Sequence, residues 1–418
     1  MSATLVLLAL LSIATLASQR GYAAFVAHIV SAPLLLAVGV MLAPSRLAFL
    51  SVATTEALLP PLRVGIAWLV LLVGLRALRP KRKGTYGSHL AFTIIVVTGT
   101  WLLLSGCAYG IMYVLEEGKM AVALPTSEGP HVRLGIALLL GGLLASGGFS
   151  FAMESLEGTA LEHVHRQTLF LGRHDDAVGA IAVCIAIWLC PLSPEQAPIY
   201  ASSYWPFALC ILLGIGFAFA FSLLGGNKMG GASASWVALL GLITLASGLC
   251  SSILLPEAGL AYFFGLTIAL LGFTRHLGHA RLAQTTRPVR MVVLVLIGTH
   301  LGFSVSAAFL GVGLALSRLG LKALLRAWMV QRSGIDFPFT TLLGASSTAL
   351  PFVLSFALTR PEPLFQNEIL ATVAVAVSVT DLMTLLVWRR RQPNPAIADA
   401  ESSAPLAKEP LTADGGNT

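Results

Sequence analysis

Residues 205–225 read WPFALCILLGIGFAFAFSLLG, twenty-one consecutive positions without a charged side chain. A helix needs about 20 mostly apolar residues to cross a bilayer, so this run reads as a membrane span. It does not stand alone. Working outward from it, apolar runs between polar or Gly/Pro breaks give thirteen candidate spans. They are 3–18, 22–43, 60–78, 90–115, 133–153, 174–190, 205–225, 234–254, 258–275, 290–306, 307–330, 340–359 and 368–388. The break at 305–308 is the least marked, since one long run there reads either as two short spans or as one bent span.

Composition agrees with that reading. The 418 residues are 56% hydrophobic and 11% charged, against about 25% charged in soluble globular proteins. A water-soluble fold of this length is thereby excluded, and the solvent is largely lipid. The formal charge of +7 does not point to nucleic acid, because the basic residues form no single stripe with interleaved aromatics. They lie between the apolar runs instead, as membrane topology requires. The five cysteines, Cys107, Cys184, Cys190, Cys210 and Cys250, show no CxxC pairing and read as small buried hydrophobes. No metal or cofactor motif is present.

Charge also orients the spans. Residues Thr4 to Ala17 are similar to a signal-peptide apolar region, but no basic residue precedes them and Arg20 follows, the wrong order for a cleaved signal. The first span is therefore read as retained, with the N-terminus outside. On that orientation 21 of the 26 Lys and Arg residues fall on the inner side. Only Arg46, Arg63, Lys119, Arg133 and Arg360 fall outside, so the positive-inside rule predicts N-out, C-in. Residues 1–390 form the membrane domain in this reading. Residues 391–418 are Pro/Ala/Ser-rich, lack apolar periodicity and read as a disordered cytoplasmic tail, so no nucleotide-binding domain is expected to regulate the chain.

Ionisable residues inside apolar runs are costly and mark candidate functional positions. Here they are Asp175 and Asp176 at the head of the sixth span, Asp381 in the thirteenth, and Glu154 and Glu157 at the end of the fifth. Arg318 in the eleventh span, with Lys322 one turn on, is their cationic counterpart. Adjacent helical residues point about 100° apart, so at most one of Asp175 and Asp176 faces a cavity squarely. Two carboxylates in a low dielectric resist being ionised together, which suits a site exchanging protons for a cation. The pair reads equally as a solvated helix N-cap, since Arg173 and His174 precede it and carboxylates favour helix N-termini. Asp381 reads first as a polar residue satisfied inside the bundle.

Broken helices are the second clue, since transporters with inverted repeats bind ions where two corresponding helices unwind. The fifth span contains GGLLASGGFSF, with Gly141, Gly142, Ser146, Gly147, Gly148 and Ser150. The twelfth contains LLGASSTALPFVL, with Gly344, Ser346, Ser347, Thr348 and Pro351. The two are seven spans apart, and an odd offset places them in opposite orientation. Small residues also serve close helix packing, so each segment alone is weak evidence. His300 in the tenth span can titrate near neutral pH but reads first as bonded to a neighbouring carbonyl. His163 and His165 form an H-x-H in a loop with no third ligand evident. Intramembrane proteolysis is excluded. GASST around Ser346 has a faint likeness to a rhomboid serine, but no histidine follows His300, and neither Asp176 nor Asp381 stands in a Gly-x-Gly-Asp setting. The chain is not expected to be an enzyme.

Several stretches together resemble one family. SAPLLLAVGVMLAPSRLAFLSV is similar to the second span of bacterial sodium/proton exchanger domains. IALLLGGLLASGGFSF from Ile136, continuing through GRHDDAVGAIAV, resembles their fifth and sixth spans, where an aspartate pair opens a helix. LAYFFGLTIALLGF, RPVRMVVLVLIGTHLGFS and GVGLALSRLGLKALL resemble the later half. The chain thus resembles the bacterial monovalent cation:proton antiporters, the sodium/hydrogen exchanger membrane domain, to about residue 390. The resemblance implies an all-α polytopic membrane protein of about thirteen spans, with inverted repeats and two broken helices. It implies secondary transport of Na+ or K+ against protons, with Asp176 as the binding carboxylate and Asp175 its partner. Arg318, and Lys322 second, takes the family's basic position on the eleventh helix, and arginine there fits electroneutral exchange. A homodimer in the inner (plasma) membrane is implied, with core helices moving against a dimerising scaffold. One element departs from the pattern. The fifth span of many members carries Thr/Ser-Asp-Pro or Ser-Ser-Pro at its break, whereas this chain has Ser146-Gly147-Gly148-Phe149-Ser150. A non-transporting sensor or scaffold of the same fold, and a transporter of another small solute, are the alternatives.

Overall fold

The computed structural model describes residues 2–18, 24–46, 49–77, 86–117, 130–146, 177–190, 205–225, 232–272, 279–302, 304–333, 348–360 and 362–391. Each predicted apolar run carries a helix. In chain order these are α1 Ala3–Ser18, α2 Ala24–Leu42, α3 Val52–Ala57, α4 Leu59–Ala77, α5 Tyr86–Glu117 and α6 Pro130–Ala145. Then come α7 Ala177–Leu189, α8 Trp205–Gly225, α9 Ala232–Ser252, α10 Glu257–Leu270 and α11 His279–Thr299. The last are α12 Val305–Ser333, α13 Ala349–Ala357 and α14 Pro363–Arg391. The short α3 leads into α4, so the helices correspond to the thirteen expected spans. Among the described residues, six are long and apolar enough to cross a membrane by length and composition: Val52–Ala77, Val96–Glu117, Trp205–Leu224, Ala234–Ser252, Val305–Leu325 and Gln366–Thr384.

Many hydroxyls inside these helices are satisfied locally. The hydroxyls of Thr100, Ser105, Thr244, Thr267, Ser317, Thr380 and Thr384 each donate to the carbonyl four residues back. That removes the cost of an unpaired donor in hydrocarbon. The outward faces are apolar: Leu223 is 80% exposed and Val237 71%. In water such a surface would aggregate; in lipid it is the required exterior. The chain is an all-α, multi-pass membrane protein.

Where the tenth span gives way to the eleventh, the break falls at 300–304 rather than at the expected 305–308. Ser304 fixes it. Its Oγ accepts from the Ala307 N–H at 3.0 Å, capping the first turn of α12, and both Ser304 and Ser306 donate to the buried Glu368 carboxylate of α14. At the α9–α10 turn, Leu254 takes a positive φ of 53°, rare for a residue with a side chain. The Leu255 N–H reaches back to the Cys250 carbonyl at 3.0 Å, and the chain re-enters at Pro256 with Glu257 in the first turn of α10.

The helices pack as two groups, which meet along α2 and α14. In one, α4 packs on α10, α2 on α11, α1 on α11, and α8 and α9 join α10. In the other, α5 packs on α6, and α12 and α13 pack on α14. Two crossings in the first group are built on glycine. A Cβ at Gly39 of α2 would stand 2.1 Å from the Val295 carbonyl oxygen, and one at Gly298 of α11 2.4 Å from that of Leu36. At the other crossing, a Cβ at Gly74 of α4 would stand 2.3 Å from the Tyr262 oxygen, and one at Gly265 of α10 2.2 Å from that of Leu71. Every glycine meets the carbonyl three residues before its partner glycine. The second crossing is the first with the second span replaced by the ninth and the tenth by the third. An offset of seven spans relates the two, as the two halves of an inverted repeat require.

Candidate functional site

The site is organised around Arg318. It lies on α12, is fully buried at 0% exposure, and its Nη2 donates to the Ser146 carbonyl oxygen at 3.2 Å. Ser146 is the first residue beyond α6. Its N–H still closes the last helical turn on the Gly142 carbonyl, and its hydroxyl donates to the Leu143 carbonyl at 2.9 Å. With those groups used inside α6, the Ser146 carbonyl faces away from the helix toward the guanidinium. The last four carbonyls of a helix lack helical partners and carry the negative end of its dipole. A buried guanidinium at that end therefore satisfies a backbone acceptor and a partial charge together.

Glycines let the surrounding helices approach this point. A Cβ at Gly141 would lie 2.2 Å from the Ser105 Oγ of α5, and one at Gly142 would lie 2.3 Å from the Ala182 Cβ of α7. Trp101 of α5 donates its indole N–H to the Leu138 carbonyl at 2.8 Å. Gly179 of α7 has the Phe352 ring of α13 and the Ser146 Cβ as its nearest neighbours, 3.5 and 3.8 Å from a Cβ built there. The end of α6, the first turn of α7 and α13 thus meet at one place, with Arg318 beside it.

Of the sequence-predicted residues, the structure brings Arg318 and Ser146 into contact and buries Lys322, Thr348 and Asp381. Thr348 stands immediately before α13. Asp175, Asp176, Gly147, Gly148, Ser150, Ser346 and Ser347 lie outside the described residues, as do Glu154, Glu157, His163 and His165. His300 stands in the turn that follows α11. Among the described residues, no group of three or more His, Cys, Asp or Glu is arranged to hold a metal ion.

Sequence reasoning missed two buried acids. Glu257 is 1% exposed and Glu368 3%. Glu257 receives the Arg63 Nη1 at 2.8 Å on Oε1 and the Ser355 hydroxyl at 3.1 Å on Oε2. Glu368 receives the two serine hydroxyls at the head of α12. Both acids sit at the edge of an apolar run, where a polar residue reads as loop. The only signal available was an acidic residue opening a helix after proline or preceding a hydrophobic run.

No protein-family model matches the chain, and no curated protein matches it. A solved structure does. The sodium proton antiporter MjNhaP1 from Methanocaldococcus jannaschii, determined at pH 8, superposes with a TM-score of 0.57 over 92% of this chain and 99% of that one. The two share 14% sequence identity, so the likeness is one of fold.

Proposed function

Starting from a chain with the fold of a sodium/proton antiporter, we propose that this protein is a secondary transporter exchanging a monovalent cation, Na+ or K+, for protons. The observation that carries the reading is the burial of Arg318 against the Ser146 carbonyl, beside Gly179 of α7. A guanidinium stays protonated at any working pH, and an uncompensated charge in a low dielectric costs several kcal/mol. Asp176 and Asp175 stand three and four residues before Gly179, and they are the compensating carboxylates in this reading. Two carboxylates and one guanidinium sum to minus one. Adding Lys322 and Asp381 leaves that sum unchanged. One monovalent cation or one proton then brings the site to neutrality, while both together leave a buried excess charge. Cation and proton exclude each other on that count, and competition at Asp176 couples the two fluxes one for one without net charge movement.

Backbone carbonyls freed where the fifth and twelfth spans break, with Ser146, Ser150, Ser346, Ser347 and Thr348, supply the remaining oxygen ligands in this account. The charge asymmetry supports an N-terminus outside and a C-terminus in the cytoplasm of a plasma membrane. A homodimer formed through the helix group containing α1, α2, α8 and α9 completes the reading. The second reading, a non-transporting membrane sensor of the same fold, draws on the altered segment Ser146-Gly147-Gly148-Phe149-Ser150, which offers neither carboxylate nor proline. Tracer cation uptake into proteoliposomes separates the two. The transporter shows saturable uptake in which protons raise the apparent KM and leave the maximal rate unchanged. The sensor shows no uptake above empty vesicles.

A further inference from the structure

A second buried polar junction lies away from Arg318. There α10 begins at Glu257 with Pro256 in the cap position, and Pro256 makes no side-chain cap. The first four N–H groups of a helix lack helical partners. The Ala258 N–H donates instead to the Ser355 Oγ of α13 at 2.9 Å, so another helix supplies the cap. Ser355, itself at 0% exposure, donates a hydrogen bond from its hydroxyl to Glu257 Oε2 at 3.1 Å. The other carboxylate oxygen belongs to Arg63 of α4, at 2.8 Å.

The two carboxylate oxygens are thus divided between the two helix groups. Arg63 and Glu257 tie α4 to α10, which already cross backbone to backbone at Gly74 and Gly265. Ser355 belongs with α7 and α14. Phe352 lies on Gly179 of α7, Arg360 Nη2 donates to the Cys190 carbonyl at the end of α7, and α13 packs along α14. If the groups part, Glu257 keeps its ion pair with Arg63. At this junction one hydroxyl, one first-turn N–H and one carboxylate lone pair are released, all groups that water can satisfy; the groups meet also where α14 packs on α2 and α13 on α4. The junction reaches the surface of the protein, where the Arg63 side chain is 16% exposed. It is also flanked by thiols. A Cβ at Gly259 would lie 2.9 Å from the Cys184 Sγ of α7 and 3.2 Å from the Cys210 Sγ of α8. Both thiols are buried while the contact is made.

We infer that Ser355, held by Glu257 and Arg63, is a reversible latch between the two helix groups, closing the end of the molecule that the charge asymmetry assigns to the outside. The inference rests on the transport reading, in which one group must rock against the other to expose the site alternately. Ser355 is a positioning residue: it sets how α13 stands against α10.

The native thiols report the latch without any transport measurement. Purified full-length protein in detergent is exposed to N-ethylmaleimide, and the modification rates of Cys184 and Cys210 are followed by peptide mass spectrometry, normalised to the unfolded chain. Valine and threonine at position 355 are near-isosteric and differ in the hydroxyl. Losing a hydrogen bond to a charged group corresponds to a factor of about ten in an opening equilibrium. S355V is expected to label about tenfold faster than wild type and S355T at close to the wild-type rate, both remaining monodisperse. Equal rates for S355V and S355T overturn the latch. Faster S355V labelling in a protein that moves no cation leaves the latch standing and removes the antiport reading. Active antiport with equal labelling does the reverse.

Discussion

Replacing Gly74 by alanine puts a Cβ 2.3 Å from the Tyr262 carbonyl oxygen and 2.8 Å from the Leu266 nitrogen. Both obstacles are backbone atoms of α10, so no side-chain rotation relieves the clash. Reaching an ordinary contact distance of about 3.5 Å requires the two helices to move apart by roughly 1 Å. Overpacking of this kind costs typically about 1–3 kcal/mol, and the upper part of that range applies because the displaced element is a whole helix. At roughly 2 °C per kcal/mol for a large domain, G74A is expected to lower the melting temperature by about 4–6 °C. G298A, at the inverted-repeat counterpart, is expected to lose a similar amount. The double variant G74A/G265A should lose less than the sum of its parts, since helices already parted by one methyl accommodate the second. Gly216 and Gly241 are the controls. A Cβ at either meets nothing within 4 Å, and alanine there gains up to about 1 kcal/mol of helix propensity. Thermal unfolding of detergent-purified protein, followed by intrinsic fluorescence, reads all six variants, the single G265A among them. Wild-type melting of G74A and G298A, or an equal loss in G216A and G241A, would refute the packing argument and the repeat symmetry built on it.

Three further outcomes follow from the buried charges. R63Q leaves the Glu257 carboxylate buried without its cation, and breaking such a pair costs about 3–5 kcal/mol. The double variant R63Q/E257Q should recover most of that loss in the same melting assay. R318M removes both a buried charge and the donor to the Ser146 carbonyl, so cation uptake should fall to the level of empty vesicles. R318K keeps the charge without the planar fork and should retain measurable uptake at a reduced maximal rate. E368Q replaces a carboxylate that accepts from two serines with an amide offering one acceptor oxygen, and should cost about 1 kcal/mol in a thermal melt.

Apolar run length located nearly every helix, because in a membrane the solvent acts on each span separately and leaves its mark in local composition. The α11–α12 boundary was displaced by a few residues for the complementary reason. Ser304 ends the break by capping α12 and by meeting Glu368, 64 positions away, and a distant partner leaves no local trace. Glu257 shows the same blindness more plainly. Its burial depends on Arg63 and Ser355, 194 and 98 positions away, and nothing in LLPEAGL marks it as interior. Gly74 and Gly265 look like any other membrane glycines until their carbonyl partners are seen. The burial of Arg318 was legible because a guanidinium in the middle of an apolar run must pack inside the bundle. Ser146 was legible because a Gly/Ser cluster seven spans from another is unusual. Asp175 and Asp176, on which the exchange chemistry is placed, remain a reading of sequence.

The central claim is that one buried carboxylate takes either a cation or a proton. Proton movement in proteoliposomes carrying an internal pH dye tests it most directly, with pulses of Na+, K+ and Li+ applied in turn to wild type and D176N. The account predicts that at least one cation drives protons across the wild-type membrane and that the same pulse moves none with D176N. Silence of the wild type to all three cations would contradict the transport claim, and exchange persisting in D176N would contradict the assignment of its site.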